Sequence, residues 1–469
     1  MATFTGLEIA SRALKVNQGV LDVVGHNVAN VNTPDYSRQT AEIVSTPPDT
    51  AYDSANSNFA AQIGTGVDLA SITRIRDEFI EQRLQNSQGD QSKYNALNDA
   101  LKRVEDTFNE LSTDGLGKQI TATFNAFQEV ARSPEGDAAR SLLRSQGETV
   151  ARTFHDIFNG LNNIDTDLKA RGAVVVGQVN DLAKQVADLN GQIHIATIVG
   201  GHPNDLEDKR DSLVKQLAGM VGAEADPEHD AQGSPTGYVT VRVNGFTIVQ
   251  DDKTNPLPST FTMQAGVPQL TDGSIMIPIK SGEVAGLIQA SNKIQGYKAD
   301  LNTVASTLIT QVNTQHAAGY GLDGLTGRNF FSGTDASDIG VDANIEGNLN
   351  AIAASTPPPT GGTVAPSNGD NARAIADIGS KLLFGNQTIV AYHSAKMTQL
   401  GADAQSADQL ATNQEKVVQQ LQNMRDSTSG VNLDEELTRM LQYQRSYQAA
   451  SKMVTTFDSL IQSVIDMVR

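Results

Sequence analysis

The chain has 469 residues, a net charge of −19 at pH 7 and no cysteine. Its length leaves room for about two to four domains with a sizeable core, and the lack of cysteine excludes disulfides, thiol nucleophiles, cysteine zinc sites and iron–sulfur clusters. The acidic balance argues against nucleic acid or an anionic membrane surface as a partner, and no segment approaches the roughly 20 consecutive apolar residues of a membrane span.

The negative charge is concentrated in the middle of the chain. Residues 1–31 carry two acidic and two basic residues, and residues 433–469 carry five acidic and four basic ones. Their net charges of 0 and −1 leave −18 for residues 32–432. Near-neutral ends can pack together in many copies without strong repulsion, whereas an acidic middle favours solubility.

Residues 1–31 are predicted to form the first helix. Apolar residues recur there in steps of three and four, with Asn17 as the polar break: Leu7, Ala10, Leu14, Leu21, Val24, Val28 and Val31. This spacing puts a narrow apolar seam on one side of the helix, and such a seam is stable only against other helices. Pro34 disfavours helix at Thr33 and ends the element. Charged residues interrupt the apolar positions, so we expect no cleaved signal peptide.

The middle of the chain is predicted to alternate between helical and extended segments. Residues 36–70 are interpreted as an extended arm with short strands, and the pattern from Ser71 to about Val221 is helical. Breaks in that helical stretch are expected near Gly115 and Gly117, at Ser133-Pro134, around Gly172 and over residues 200–203.

A small β domain is predicted over residues 223–283. Val239, Val241 and Val243 alternate with polar residues, and Asn244-Gly245 is a strong signal for a tight hairpin turn. Residues 261–263 and 275–279 are further strand candidates.

The C-terminal half is predicted to return to helix. Helices are expected over residues 284–318 and 386–425, separated by a stretch rich in Gly, Ser, Thr, Asp and Pro. We interpret residues 319–370 as a loop-rich flap or as partly disordered, because so long a connection is unusual. Asn432, followed by Glu435 three residues on, predicts the N-terminal cap of the last helix.

The last helix carries a second apolar seam. Its members are Met440, Tyr443, Tyr447, Ala450, Val454, Phe457, Ile461, Val464 and Val468. Two terminal seams predict a coiled coil between the chain ends or between many copies of them. The alternative is an intramolecular bundle in which the first and last helices pack on each other.

The predicted fold is therefore mainly α, with terminal coiled-coil-type helices, a long helical bundle domain and a small inserted β domain. The terminal domain is assigned to residues 1–60 and 426–469. The bundle is assigned to residues 61–222 and 284–425, with 319–375 loop-rich, and the β domain to residues 223–283.

The sequence predicts no catalytic, cofactor or metal site. Its seven His residues show no metalloprotease spacing, and Glu228-His229-Asp230 is a polar turn whose adjacent side chains are poorly placed to converge on one ion. His26 is expected to cap the first helix. The acidic run over residues 205–211 is interpreted as the first turn of a helix with solvated contacts one turn apart.

Four runs of residues resemble bacterial flagellar axial proteins. They are residues 27–39 (Asn-Val-Ala-Asn-Val-Asn-Thr-Pro-Asp-Tyr-Ser-Arg-Gln), residues 63–67 continuing into 72–79, residues 204–213, and residues 429–436 followed by 442–449. The signature residues are Asn27, Asn30, Asn32, Thr33, Pro34, Tyr36, Ser37, Arg38, Asn432 and Leu433. The Tyr-Ser-Arg-Gln ending of the first run is closer to the hook-associated members of the family than to its rod or hook proteins. One departure is Asp35, where the family usually has Gly; Asp tolerates the left-handed backbone better than most residues, and a type I turn would also accept it.

The resemblance implies a structural protein of the flagellum. It implies a layer joining hook to filament, terminal helices lining an inner tube, an outward β domain, and secretion through the flagellar export channel. The implied partners are further copies in a ring or helical layer, hook subunits below, a second junction protein or the filament above, and a cytoplasmic export chaperone at the C-terminal helix. Another axial component, such as a hook or rod subunit, remains the first alternative, and a helical cytoplasmic enzyme or adaptor the second.

A mechanism follows from the two seams. A lone helix with one narrow seam is marginal in water, so we hypothesise that residues 1–31 and 433–469 are largely disordered in the monomer and fold on assembly. Asn17 would favour one register. Replacing Phe457 with Asp is then expected to block incorporation while leaving residues 71–222 folded.

Overall fold

The computed structural model describes residues 2–51, 61–110, 115–264, 266–357 and 365–468. The helices are α1 (Ala2–Ala29), α2 (Glu78–Phe108), α3 (Leu116–Arg132), α4 (Asp137–Ile198), α5 (Asn204–Val221), α6 (Glu283–Ala317), α7 (Ala343–Gly347), α8 (Asp370–Ala376), α9 (Ile389–Ser429) and α10 (Leu433–Val468). The strands are β1 (Gln39–Ser45), β2 (Asp49–Ala51), β3 (Ala61–Ile63), β4 (Val67–Arg74), β5 (Ala223–His229), β6 (Pro235–Val243), β7 (Phe246–Gln250), β8 (Lys253–Thr254), β9 (Thr260–Gln264), β10 (Val267–Thr271), β11 (Met276–Pro278), β12 (Phe331–Ser332) and β13 (Gly340–Val341). The fold is mainly α, as the sequence predicted.

The chain divides into two compact units. Unit 1 comprises residues 1–90, 178–257 and 414–469, and unit 2 comprises residues 91–177 and 258–413. None of the helices within the described ranges is both long and apolar enough to cross a membrane.

In the part of the chain that the structure describes, unit 1 contains the terminal helices and three antiparallel sheets, one of them the short pair of β2 and β3. The arm is a hairpin in which β1 pairs with β4, so residues 71–74 are extended rather than helical as the sequence had suggested. A four-stranded sheet has the order β5-β6-β7-β8. Its hairpin turn is the predicted one: Asn244 and Gly245 have φ of 45° and 88°, and Val239, Val241 and Val243 are buried as the alternation indicated.

Unit 2 is built on helices, with a small sheet of order β11-β10-β9. The strands predicted over residues 223–283 therefore form two separate sheets, and the boundary between the units falls at residue 257. Helix α4 runs through Gly172, where a break was predicted. The ring of Phe261 lies so close to Gly172 that an added Cβ would overlap it, so a glycine here serves close packing rather than a break.

The irregular stretch after α6 is part of the core of unit 2, so its interpretation as a flap or partly disordered segment is wrong for the residues described. Phe330, Phe331, Ile339, Ile345 and Ile352 are each fully buried. Residues 358–364 of this stretch lie outside the description.

Two buried polar side chains hold this stretch by its backbone. The His316 ring accepts from the Ala353 amide at Nε2 (2.9 Å) and lies 2.8 Å from the Arg328 carbonyl at Nδ1. Arg140 donates from one guanidinium nitrogen to the carbonyls of Leu349 and Ile352, each at 2.9 Å. Backbone groups bound in this way need no regular helix or strand to be satisfied.

Candidate functional site: the terminal helix pair and the arm junction

The two terminal helices pack against each other, antiparallel, within one chain. Gly6 of α1 lies under the Phe457 ring of α10, and at the other end Asn27 bonds Glu436. Between them, Val16, Val20 and Val24 pack with Met440 and Tyr443. The structure therefore has the intramolecular pair, with both ends helical, rather than disordered termini.

The seam predicted for α1 is only half-buried. Of the predicted positions, Ala10 and Val24 are buried, and the others are intermediate in exposure: Leu7, Leu14, Asn17, Leu21, Val28 and Val31. Val16, Val20 and Val23, which the predicted seam did not include, are also buried. Helix α1 also packs on the hairpin of β1 and β4, through Ala41, Val67 and Leu69, and this second neighbour shifts the most buried line around the helix. These additional buried positions also recur at steps of three and four. The helical periodicity was therefore present in the sequence, but it marked two apolar faces of α1 rather than one. Asn17 donates to the Ala13 carbonyl one turn back (2.7 Å).

Helix α10 carries more apolar surface than α1 covers. Of its predicted seam, Ala450 is buried and Met440, Tyr443, Val454, Phe457 and Ile461 are half-buried, but Tyr447 and Val464 are exposed. Further large apolar side chains on α10 are exposed: Leu433, Leu437, Leu441, Met453, Leu460, Ile465 and Met467. Since exposed apolar patches of this extent mark interaction surfaces, the uncovered part of α10 is the candidate contact surface.

Asn27 is the centre of the junction between α1, the arm and α10. Its Oδ1 accepts from the Tyr36 hydroxyl (2.8 Å) and from the Gln39 amide (3.0 Å). Its Nδ2 donates to the Gln39 carbonyl (2.9 Å) and to Oε2 of Glu436 (3.1 Å). Asn27 and Glu436 are both buried. An asparagine with all its bonds satisfied fixes the arm and the start of α10 in one arrangement.

The start of α10 is held from the arm side as well. Asn432 caps the helix as predicted, its Oδ1 accepting from the amides of Asp434 (3.0 Å) and Glu435 (3.4 Å). Arg38 donates to Glu435 (3.1 Å) and lies 4.0 Å from Glu436, and its amide donates to the Ser429 carbonyl (2.8 Å). Residues 27–39 and 429–436, the first and fourth of the runs that resemble flagellar axial proteins, are therefore in direct contact.

The remaining signature residues shape the turn after α1. Asn30 donates to the His26 carbonyl (3.0 Å), and Thr33 donates to Asn30 (3.0 Å). Asn32 and Pro34 lie exposed in the turn. His26, predicted as a cap, lies 3.2 Å from the Asp205 carboxylate of α5.

The sequence interpretation of residues 205–211 of α5 as a solvated acidic run is wrong. Acidic side chains of this run hold the arm through a partly buried ion cluster. Arg74 bonds Glu207 (2.7 Å), Asp208 (2.8 Å) and Asp211 (2.7 Å), and Arg76 also bonds Asp211. Burial alone would lower the pKa of Arg74, but the Asp211 and Glu207 carboxylates raise it above its usual value. The cluster joins residues 72–79, in the second of the runs that resemble flagellar axial proteins, to residues 204–213, the third.

The described residues offer no group of three or more His, Cys, Asp or Glu side chains arranged to hold a metal ion. Glu228 of the polar triplet instead accepts from Thr240 across the sheet, while His229 is exposed.

Family models place the chain in a class. Residues 101–331 match the model of the flagellar hook-associated protein FlgK helical domain, and residues 421–467 match the flagellar basal body rod FlgEFG protein C-terminal model. The class is thus that of flagellar axial proteins, with the second match falling on α9's end and α10.

Relatives over the whole length define the family. The chain is 31% identical to flagellar hook-associated protein 1 of Bacillus subtilis, covering 99% of this chain and 98% of the relative. It is 26% identical to that protein of Salmonella typhimurium (98% and 99% covered) and 25% identical to that of Escherichia coli (98% of each). The chain therefore belongs to the flagellar hook-associated protein 1 family, a family of structural proteins. A solved structure of the flagellar hook junction protein FlgK from Burkholderia pseudomallei shares the fold, with a TM-score of 0.61 at 16% identity, covering 74% of this chain and all of that one.

Proposed function

We propose that this protein forms the junction layer between the flagellar hook and filament, and that copies assemble through their terminal helices. Family membership supports the flagellar role. The observation that carries the assembly mechanism is the uncovered apolar surface of α10.

The pairing of α1 with α10 defines which residues are free for assembly. The half-buried seam positions, such as Val454 and Phe457, are used within the chain. Tyr447, Val464 and the exposed residues Met453 and Leu460 remain for contacts with neighbouring copies. Each copy would therefore contribute a preformed two-helix unit to a ring or helical layer, with little charge repulsion because both helices are nearly neutral.

The same surface requires cover before secretion. We propose that a cytoplasmic export chaperone binds the exposed face of α10, as an apolar groove binds an amphipathic helix, and that the protein then leaves the cell by the flagellar export route. In the assembled flagellum, hook subunits would lie below the layer and a second junction protein or the filament above it. The domains assigned from the sequence remain proposals, with residues 1–60 and 426–469 forming the inner tube and the sheets of residues 223–283 facing outward.

A clean deletion tests the proposal. We expect intact hooks without filaments in electron micrographs, and flagellin monomer lost to the culture medium. If hooks are absent, the protein is instead a hook or rod subunit. The match of residues 421–467 to a rod protein model raises this alternative. Normal filaments and swimming would remove it from the axial structure.

A further inference from the structure

Successive turns of α5 bind alternate residues of the segment 35–39, which leads from α1 into β1. Asp35 accepts from Lys215 (2.6 Å) and Ser212 (3.1 Å). Two residues on, the Ser37 amide donates to Asp208 (3.0 Å).

The pattern continues to the start of β1. Gln39 donates from its side chain to Asp205 (2.9 Å) and accepts from Asn204 (3.3 Å). The segment 35–39 therefore runs antiparallel to α5, with its three odd-numbered residues bonded to the helix.

The two spacings match for a geometric reason. Two residues of extended chain span about 6.6 Å and one turn of helix rises about 5.4 Å, so alternate arm residues meet successive helical turns. A polar stripe at helical spacing can therefore hold an extended segment in one register, since a shift by one residue would turn the bonded side chains away.

Asp35 occupies the end of this arrangement and is the strained member. Its φ is 59°, in the left-handed region, which a non-glycine residue occupies at a cost. Asp35 and Lys215 are each about three-quarters buried, with 24% and 22% of their side chains exposed. The partly buried, charged hydrogen bond to Lys215 favours a carboxylate at this position. The same bond holds Asp35 in its left-handed conformation.

Charged groups from other elements also face Asp35. Arg425 of α9 acts on it electrostatically, although Arg425 bonds directly to Glu81 of α2 (3.0 Å) and to Asp426 (3.4 Å). Lys215 is thus the cation bonded to Asp35, and Arg425 strengthens the same charge from the side.

We propose that the face of α5 bearing Asn204, Asp208, Ser212 and Lys215 is a docking rail for residues 35–39, and that Asp35 is the positioning residue that locks the end of the rail. The lock fixes where α1 joins the rest of unit 1. It thereby fixes the direction in which the terminal helix pair leaves the junction.

Amide exchange in the full-length monomer tests the lock. Asp35→Asn keeps a residue that tolerates the left-handed backbone and removes the charge, and Lys215→Met removes the partner. Each is expected to speed exchange of the Ser37 amide about tenfold. The double variant is expected to show no more than the larger single effect, because both changes remove one contact.

Two control variants make the test specific. Asp22→Asn removes the same charge from an exposed position on α1 and is expected to leave Ser37 exchange unchanged, while Lys215→Arg is expected to keep the protection. Amides in β6, which belongs to unit 1 as the lock does, report whether this unit is folded in each variant. Unchanged Ser37 exchange in folded Asp35→Asn, or single effects that multiply in the double variant, would overturn the lock.

The consequence for assembly rests on the proposed function and has its own readout. A strain carrying Asp35→Asn is expected to swim in smaller rings in soft agar than one carrying Asp22→Asn. Equal swimming together with faster Ser37 exchange would refute the link to assembly. The deletion strain tests the proposed function separately.

Discussion

Gly6 of α1 and Phe457 of α10 are in such close contact that any side chain on Gly6 would overlap the phenyl ring. This contact holds the start of α1 against the C-terminal half of α10. The bond between Asn27 and Glu436 holds the end of α1 against the start of α10. Glycine is a poor helix former. Its presence at position 6 is explained by the Phe457 ring, which can pack against α1 only where a Cβ is missing.

Replacing Gly6 with Ala is expected to weaken the helix pair by about 1–2 kcal/mol, because overpacking displaces Phe457. Gly25→Ala is the matched control in the same helix, since an added Cβ there meets nothing within 4 Å. That control should stabilise α1 by up to about 1 kcal/mol through helix propensity. Opening free energies from amide exchange would measure both, and similar effects of the two changes would contradict the contact.

Phe457 and Leu460 separate pairing within the chain from assembly between chains. Phe457→Asp is expected to destabilise α10 on α1 in the monomer, because it places a charge against Gly6. Leu460, which is 49% exposed, should tolerate Asp in the monomer and still lose incorporation into flagella. Amide exchange of the monomer and swimming of the strain measure the two effects. Normal swimming of the Leu460→Asp strain would count against assembly through the exposed face.

Asn27→Asp tests the buried junction with almost no change of shape. The change removes the donors to Gln39 and Glu436 and sets a second carboxylate beside a buried one, so we expect the start of α10 to open about 3 kcal/mol more easily. Adding Glu436→Gln should recover part of this loss, because its amide can donate to the new carboxylate. The free energy of opening at the Gln39 amide reports the result; no recovery would show that repulsion is not the cause.

Arg140 and Arg144 lie one turn apart on α4 and differ in burial. Arg140 is fully buried; burial lowers its pKa to about 10, and it holds two backbone carbonyls of the irregular stretch. Arg140→Met should lower the unfolding free energy of unit 2 by about 3 kcal/mol. Arg144 has a third of its side chain exposed and donates to the Glu346 carbonyl at 3.2 Å, a bond that is open to water. Arg144→Met should therefore lower the unfolding free energy by less than about 1 kcal/mol. Urea unfolding measures both, and equal losses would be inconsistent with the backbone-holding role.

His316 predicts a pH dependence of stability. Burial lowers its pKa from 6.5 to about 4 in the folded chain. The unfolded chain therefore binds the proton first as pH falls, and stability should decline from about pH 6.5 towards pH 4 by up to about 3 kcal/mol. Urea unfolding across this range should show the decline in the wild type and less of it in His316→Ala. His229→Ala, at an exposed position, should retain it; equal slopes in all three proteins would disprove the assignment.

Local signals predicted the elements that local physics decides. Asn244-Gly245 formed its hairpin, Asn432 capped α10, and residues 200–203 separated α4 from α5, because backbone conformation and capping act over a few residues. Gly172 misled, since its cost to the helix is small beside the packing of Phe261 against it. The irregular stretch after α6 misled for a related reason: its composition is that of a loop, but His316 and Arg140 satisfy its backbone from distant parts of the chain.

The sequence by itself determined the mainly α fold, the two amphipathic ends and, through its resembling runs, the family. These depend on periodicity and on runs of adjacent residues, which are written in order along the chain. Only the tertiary structure decided that α1 and α10 pair within one chain, that the hairpin shifts the buried line of α1, and that α5 holds the arm. Those outcomes depend on which polar and apolar faces meet across more than 150 residues, and helical spacing indicates that a face needs a partner without saying which one.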